Sequence, residues 1–238
     1  PAASIAGAQW LTGAKDALVS DIGGTTTDIC VLKDGIPKID PQGAKVGKYR
    51  TMVEAVAMRT FGLGGDSELS VIEGLEGGLR LGPRRVMPVS LFARDYPELA
   101  HTAMDRALTL ETPSEEATQF VIAQWEKFPD GLDAREAAVA SRLRDGPVRW
   151  VDAIQSRIEG PALARLVQQG LVMISGVTPS DASHTLGHMA DWDTSAAEKA
   201  LTLFARRRIG SGDRLSSGAE PLARAIIDRL TQQTTWAL

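Results

Sequence analysis

The sequence predicts an α/β protein in which a strand-rich first third precedes a mostly helical remainder. Residues 17–32 and 68–84 contain short apolar runs separated by turn residues, a pattern typical of β-hairpins. Beyond residue 97, apolar residues recur at helical spacing in segments bounded by capping residues, glycine and proline. The 238 residues suffice for one large domain or two modest ones, and we place a division between residues 91 and 92.

The first third reads as a helix and two hairpins. Residues 4–14 favour a short helix, and "ALVSDI" at 17–22 is typical of a buried strand. "TTDICVL" at 26–32 predicts a second strand, which "KDG" ends as a turn. The spacing of apolar residues in "TMVEAVAMRT" at 51–60 is compatible with either a strand or a helix. "ELSVIEG" and "GLRLGPR" predict a second hairpin, with its turn around residues 74–78.

The remainder is predicted to be helical throughout. A helix is expected over 114–128, because "SEEA" combines a cap with acidic first-turn residues. Another is expected from its cap at Asp133 to Gly146. In "TPSDA", Thr178 or Ser180 is the expected cap, with Asp181 in the first turn. The other predicted helices cover residues 149–158, 161–170, 180–190, 194–210 and 220–238.

Composition excludes several classes of protein. A net charge of −4 gives no global attraction to nucleic acid or to an anionic membrane. No apolar run approaches the roughly 20 residues that a membrane-spanning helix needs. The single cysteine, Cys30, excludes an internal disulfide and indicates a buried thiol in the cytoplasm. The chain starts at Pro1 and stops within a helical pattern, which we interpret as a piece of a longer protein.

The stretch "DIGGTTTD" at residues 21–28 predicts a phosphate-binding loop. Gly23 and Gly24 lack a Cβ, so their amide groups can approach an anion closely and can adopt positive φ. The three threonines that follow, residues 25–27, add hydroxyl donors. Asp21 and Asp28 bring two carboxylates to one end of the hairpin, an arrangement suited to Mg²⁺ beside nucleotide phosphates.

A simple hairpin is the competing interpretation of the same stretch. It would have a two-residue Gly–Gly turn, with threonines present for strand propensity. The flanking acids argue against it, because acids are poor strand formers. The stretch is also neither a Walker A loop nor a G-x-G-x-x-G fingerprint that opens a helix.

The form D-x-G-G-T-x-T-D between two strands resembles the phosphate loop of the acetate kinase, sugar kinase, heat-shock chaperone and actin superfamily. Within it, the sequence resembles the hydantoinase A/5-oxoprolinase family. "PAAS-x-x-GA" at the start, "FGLGGDS" at 61–67, "LRLGP" at 79–83 and "GVTPSDASHTLG" at 176–187 are similar to further segments of that family. The resemblance therefore runs in order through most of the chain.

This resemblance implies an actin-like, ribonuclease-H-like ATPase portion over 1–91 and a mostly helical portion over 92–238. The implied activity is ATP-dependent hydrolysis of a cyclic amide such as 5-oxoproline or a hydantoin. Two alternatives stay open: a nucleotide-binding subunit of an ATP-dependent ketone carboxylase, and a non-catalytic binding module. A second, hydantoinase B-like subunit or domain is the implied partner.

The resemblance also implies roles for individual residues, with ATP and Mg²⁺ as cofactors. Asp21 and Asp28 are the implied catalytic pair, and Asp21 is the implied metal ligand. The implied nucleotide-binding residues come from both glycine loops: Gly23, Gly24, Thr25, Thr26, Thr27, Gly64, Gly65, Asp66 and Ser67.

Two departures from the family pattern qualify these roles. Many members carry Gly-Gly-Gly-Ser in the second loop, where this chain has Asp66 before Ser67. The extra acid would either contact metal or ribose or oppose phosphate binding. The superfamily also builds its cleft from two halves, and this chain has a single D-x-G-G-T-x-T-D. We therefore expect the isolated chain to bind nucleotide weakly or not at all.

Other polar groups have simpler interpretations. His184 and His188 have the i, i+4 spacing of a metal-binding pair, but a polar helix face is the favoured interpretation. Arg84 and Arg85 are expected to be solvated or in ion pairs. The arginines at 206–208 complement a helix C-terminus, and DNA binding is disfavoured for this acidic chain.

Overall fold

The computed structural model describes residues 2–46, 49–51, 53–72, 74 and 78–237. These residues form two compact units: residues 1–65 with 232–238, and residues 66–231. The chain contains both sheets and helices, so the predicted α/β class is confirmed. The division between residues 91 and 92 stays a prediction.

The first unit is built on an antiparallel sheet. Helix α1 (Ala2–Thr12) precedes the hairpin of β1 (Ala17–Ile22) and β2 (Thr27–Lys33). Strand β2 also pairs with β3 (Ile36–Pro37) at one end. The predicted helix, hairpin and "KDG" turn are therefore confirmed, and Asp34 and Gly35 adopt positive φ in that turn.

The rest of the first unit consists of short strands. These are β4 (Ile39–Asp40), β5 (Lys45–Val46), β6 (Tyr49–Arg50), β7 (Ala55–Val56) and β8 (Met58–Phe61). Strand β4 pairs with β7, and β5 pairs with β6. Strand β8 joins the main sheet beside β2, which resolves the ambiguous segment 51–60 in favour of strands for its described residues.

One face of the main sheet carries the core of the first unit. Ile5 of α1 packs against Cys30 and Leu32. Burial raises the pKa of the Cys30 thiol, so this residue is the buried cysteine that the sequence predicted. Strand β1 alternates between half-buried and exposed residues, so the prediction of a buried strand is wrong: β1 lies at the edge of the sheet, and none of its residues is buried.

The second unit opens with the predicted second hairpin. Strands β9 (Ser67–Val71) and β10 (Leu79–Arg85) pair antiparallel. Residues 75–77 of the turn predicted at 74–78 lie outside the described residues. Strand β11 (Met87–Pro88) follows and leads into helices α2 (Val89–Asp95) and α3 (Pro97–Leu108).

A four-stranded sheet in the second unit corrects the prediction of an all-helical remainder. Its strand order is β11-β14-β12-β13. Its later strands are β12 (Phe120–Ala123), β13 (Val148–Arg149) and β14 (Val172–Gly176). The helix predicted over 114–128 is wrong, because Phe120 and Val121 are fully buried between neighbouring strands.

The remaining helices follow in chain order. They are α4 (Ala134–Ser141), α5 (Trp150–Ala153), α6 (Gly160–Gln168), α7 (Pro179–Thr185), α8 (Thr194–Ala205) and α9 (Ala219–Ala237), with a 3-10 turn at Arg157–Glu159. The predicted caps are confirmed: Asp133 forms a capping box with Glu136, and Thr178 forms one with Asp181. No described helix is long and apolar enough to span a membrane.

Candidate functional site

The first glycine loop is a tight turn with its tip at Gly24 and Thr25. Ile22 pairs with Thr27 across the hairpin. The Gly23 amide donates to the Thr26 carbonyl at 2.9 Å, which leaves the next two residues at the tip. The turn is therefore shifted by one residue from a Gly23–Gly24 turn. Neither glycine is among the described residues that have positive φ.

The tip of this loop presents unused hydrogen-bond donors. Within the described part of the chain, the amides of Gly24, Thr25 and Thr26 donate to no other group. Thr25 is exposed and Thr26 is half-buried, and their hydroxyls likewise lack a described partner. Successive free amide groups in a turn form a concave site for an anion.

Two carboxylates face each other next to this tip. Asp21 on β1 is directly opposite Asp28 on β2, and both are half-buried. The Thr60 hydroxyl of β8 donates to Asp28 Oδ1 at 2.5 Å. No described residue forms a hydrogen bond or an ion pair with the Asp21 side chain. Like charges directly opposite each other on a sheet are destabilising, so this pair favours a bound cation.

The second glycine loop packs directly on the first. A Cβ on Gly64 would lie 2.4 Å from the Gly23 carbonyl oxygen and 2.5 Å from that of Gly24. The Gly65 amide donates to the Gly23 carbonyl at 3.2 Å. Only glycine at position 64 allows this approach, which holds the first loop in place.

Thr27 has a structural role in the same contact. Its side chain is buried, and its hydroxyl donates to the Leu63 carbonyl at 2.8 Å. This hydrogen bond joins the two glycine loops. The hydroxyl is therefore engaged within the protein, in contrast to those of Thr25 and Thr26.

Asp66 and Ser67 belong to the second unit, at the start of β9. The Asp66 carboxylate pairs with the Arg85 guanidinium at 3.1 Å. The extra acid of the second loop is thus neutralised by an arginine of the neighbouring strand. Ser67 is buried. Arg84 forms a bidentate pair with Glu68, so both arginines take part in ion pairs, as the sequence predicted.

The histidine pair does not have the geometry of a metal site. His184 Nδ1 lies 2.8 Å from the Ser180 carbonyl oxygen, and its Nε2 accepts from the Trp192 amide at 3.2 Å. The ring is therefore neutral with its proton on Nδ1, and neither nitrogen has a lone pair free. His188 lies beyond the end of α7. Across the described residues, no cluster of three or more metal-ligating side chains occurs.

Asp181 is a buried carboxylate whose full role the sequence did not indicate. It accepts five hydrogen bonds: from the amide and hydroxyl of Ser90, the amide and hydroxyl of Thr178, and the Val89 amide. Complete burial raises the pKa of Asp181, and these hydrogen bonds oppose the rise. One side chain thus caps the N-termini of both α2 and α7, a long-range contact without a local sequence signal.

A second polar network joins α3 to α8. His101 Nε2 lies 2.9 Å from Asp193 Oδ2, and its Nδ1 lies 3.1 Å from Lys199 Nζ. Lys199 also pairs with Asp105. Burial raises the pKa of Asp193, but hydrogen bonds from the Ala196 amide and His101 outweigh it and lower the pKa overall. These contacts stabilise helix packing, and sequence analysis did not identify them.

Comparison with known proteins supports the family resemblance in the first part of the chain. Residues 1–109 match the family model described as hydantoinase/oxoprolinase, so the predicted resemblance is confirmed there. No curated protein matches the chain. Among solved structures, it is similar to one described as "Mechanism of ATP-Dependent Acetone Carboxylation, Acetone Carboxylase nucleotide-free structure", with 14% identity and a TM-score of 0.48. That match covers 97% of this chain and 22% of the carboxylase chain.

Proposed function

We propose that this chain, whose residues 1–109 match the hydantoinase/oxoprolinase family, is the phosphate-binding part of an ATP-dependent enzyme that opens a cyclic amide. One observation carries the proposal. Three free loop amides lie beside two opposed carboxylates, one of which has no described partner. Amides of this kind bind phosphate oxygens, and carboxylates bind the accompanying Mg²⁺.

Different residues of the first loop would bind the phosphate and the metal ion. The amides of Gly24, Thr25 and Thr26, with the hydroxyls of Thr25 and Thr26, would bind phosphate oxygens. Asp21 would hold Mg²⁺ directly or through water, because its carboxylate has no described partner. Asp28 is oriented by Thr60 and would act on the same metal or on its water.

The second loop would support the first. Gly23 would be a backbone support, held by Gly64 and Gly65, and Thr27 would join the two loops. Asp66 and Ser67 keep their implied role as nucleotide-binding residues in this proposal, with the Asp66 charge offset by Arg85.

Bound ATP would transfer its γ-phosphoryl group to the carbonyl oxygen of the cyclic amide and leave as ADP. Attack of water on the activated carbonyl carbon would then break the ring C–N bond and release inorganic phosphate. An unstrained lactam is a poor electrophile, so water attacks its carbonyl carbon readily only after that activation. The protein would contribute by aligning the phosphate at the loop amides and by neutralising its charge.

The wider assignments are also part of this proposal. Residues 1–91 would be an actin-like, ribonuclease-H-like ATPase portion, and residues 92–238 a mostly helical portion of the same family domain. The antiparallel pairing of β1 and β2, with free loop amides at the turn between them, supports this. A hydantoinase B-like subunit or domain would be the partner, and the cytoplasm the compartment.

The same loop would serve an ATP-dependent ketone carboxylase equally well, because the two activities differ in substrate and partner. A non-catalytic module is less well supported, because it does not require an unpaired carboxylate such as that of Asp21 beside the loop amides. The substrate that stimulates phosphate release therefore separates the candidates.

The test is phosphate release by the whole protein that contains this chain. We expect release from ATP and Mg²⁺ to be stimulated by 5-oxoproline or a hydantoin, and Asp21→Asn to lower it by about 100-fold or more. Asp16→Asn, at the other end of β1, is the matched control and leaves the rate unchanged. Stimulation only by a ketone with bicarbonate would favour the carboxylase. Unchanged turnover in Asp21→Asn would refute the proposed site.

A further inference from the structure

The main sheet of the first unit has a second face that α1 does not cover. Leu18 is opposite Val31 across the β1–β2 hairpin, and Ile22 is opposite Thr27. Leu18, Ile22 and Val31 are 50%, 58% and 46% exposed. Side chains directly opposite each other on paired strands point to the same side. These three exposed residues therefore form an apolar stripe on the side of the sheet that is opposite Cys30 and Leu32, next to the buried Thr27 and Ile29 of β2.

Basic side chains border this stripe. Arg59 on β8 is opposite Ile29, and the Lys38 amide donates to the Val31 carbonyl, which places Lys38 beside Val31. Lys33 lies opposite Ile36, two residues along the strand from Val31. All three basic residues are exposed, and none forms an ion pair with another described residue. We define the uncovered face as this apolar stripe with its three basic residues.

The uncovered face also contains a groove of about 340 Å³. Its lining includes Leu18, Ile29, Val31, Lys38 and Arg59. Asp40 also lines the groove and is 3.8 Å from Arg50. Asp16 precedes β1 and accepts a hydrogen bond from the Asp34 amide. These two acids are thus engaged elsewhere, and the groove combines an apolar floor with an unpaired basic edge.

We propose that the uncovered face binds an amphipathic helix whose apolar side is flanked by Asp and Glu residues. A sheet normally buries its apolar faces against a helix or another sheet, so the exposed stripe matches a helix surface. The unpaired Lys33, Lys38 and Arg59 select acidic residues on that helix by charge complementarity. The groove fits a large apolar side chain, which a flat lipid surface would not supply. This proposal does not rest on the phosphate site.

The experiment measures binding of two synthetic peptides to the 238-residue chain by fluorescence anisotropy. The acidic peptide is a helix of about 18 residues with leucine at i, i+3, i+4 and i+7 and glutamate on both flanks. The basic peptide is identical except that lysine replaces every glutamate. We expect saturable binding of the acidic peptide and at least about tenfold weaker binding of the basic one.

Variants of the chain test the location of binding. The double variant Lys38→Glu with Arg59→Glu is expected to weaken acidic-peptide binding by about tenfold or more and to gain affinity for the basic peptide. Val31→Ser is expected to weaken binding of both peptides, because it removes apolar contact. Lys15→Glu reverses one positive charge outside the uncovered face and is expected to leave binding unchanged.

Several results would overturn the proposal. Equal affinity for the two peptides, or no effect of the double variant, would exclude charge selection by this face. Absence of saturable acidic-peptide binding would exclude a helix as the occupant. Binding to phosphatidylserine vesicles without peptide binding would assign the face to a membrane. Self-association that Val31→Ser abolishes, again without peptide binding, would assign it to a second copy of the chain.

Discussion

The contact between the two glycine loops makes Gly64→Ala the most informative substitution in the chain. The added Cβ would lie 2.4, 2.5 and 2.6 Å from backbone atoms of Gly23 and Gly24. Ordinary contact begins at 3.4 Å, so the shortest of these distances is 1.0 Å too short. Backbone atoms cannot rotate aside as the end of a side chain does. One glycine loop must therefore move by about 1 Å.

This movement lowers the free energy of unfolding, because the added methyl group overpacks the contact between the two loops. Extra methyl groups in a packed site cost about 1–3 kcal/mol, and we expect Gly64→Ala at the upper end, near 3 kcal/mol, because three backbone atoms are involved. Gly23→Ala is the matched control. Its Cβ would meet only the Thr26 carbonyl oxygen, at an ordinary 3.5 Å. We therefore expect Gly23→Ala to change stability by less than about 0.5 kcal/mol.

Hydrogen exchange over residues 17–33, combined with urea unfolding, measures both variants. Gly64→Ala should lower the midpoint of unfolding and speed exchange in the first loop, and it should weaken phosphate or nucleotide binding by the whole protein. Gly23→Ala should retain all three properties. If Gly64→Ala matched the parent in exchange and in stability, the close packing of the two loops would be refuted.

Two further predictions concern the second unit. Hydrogen bonds from the Arg142 side chain and the Gln155 amide lower the pKa of Glu159 from 4.5 to about 2, so its contribution is complete above pH 4.5 and is lost as the pH falls towards 2. Glu159→Gln should flatten the dependence of Tm on pH in that window, and an unchanged slope would contradict the assignment. Asp181→Ala should lower the free energy of unfolding in urea by about 3–5 kcal/mol, because five donors lose their acceptor. The control, Asp191→Ala at an exposed position, should lower it by less than about 0.5 kcal/mol. A loss below about 1 kcal/mol for Asp181→Ala would show that those donors find other partners.

The sequence predicted elements well where the signal was local. The caps at Asp133 and Thr178 need only a side chain and an amide two or three residues away, and both are confirmed. The β1–β2 hairpin was also predicted, because apolar runs flank a short polar turn. In each case the interacting groups are neighbours in the chain.

The predicted helix at 114–128 failed because a local signal competed with tertiary packing. "SEEA" resembles a helix start, but Phe120, Val121 and Ile122 are buried in β12 between β13 and β14. Residues with β-branched or aromatic side chains gain more from that sheet than from an isolated helix. The partner strand β14 begins at Val172, too far along the sequence for any local pattern to indicate.

By itself, the sequence determined the family resemblance, the hairpin and the presence of Asp21 and Asp28 together at one end of it, because a short turn keeps the residues on its two sides close. Only the tertiary structure decided that the turn is centred on Gly24 and Thr25, and that Gly64 packs against it. It also decided that Leu18, Ile22 and Val31 of the same sheet stay exposed. These features depend on the packing of the folded chain, including contacts between residues far apart in the sequence. Local sequence patterns do not indicate such contacts.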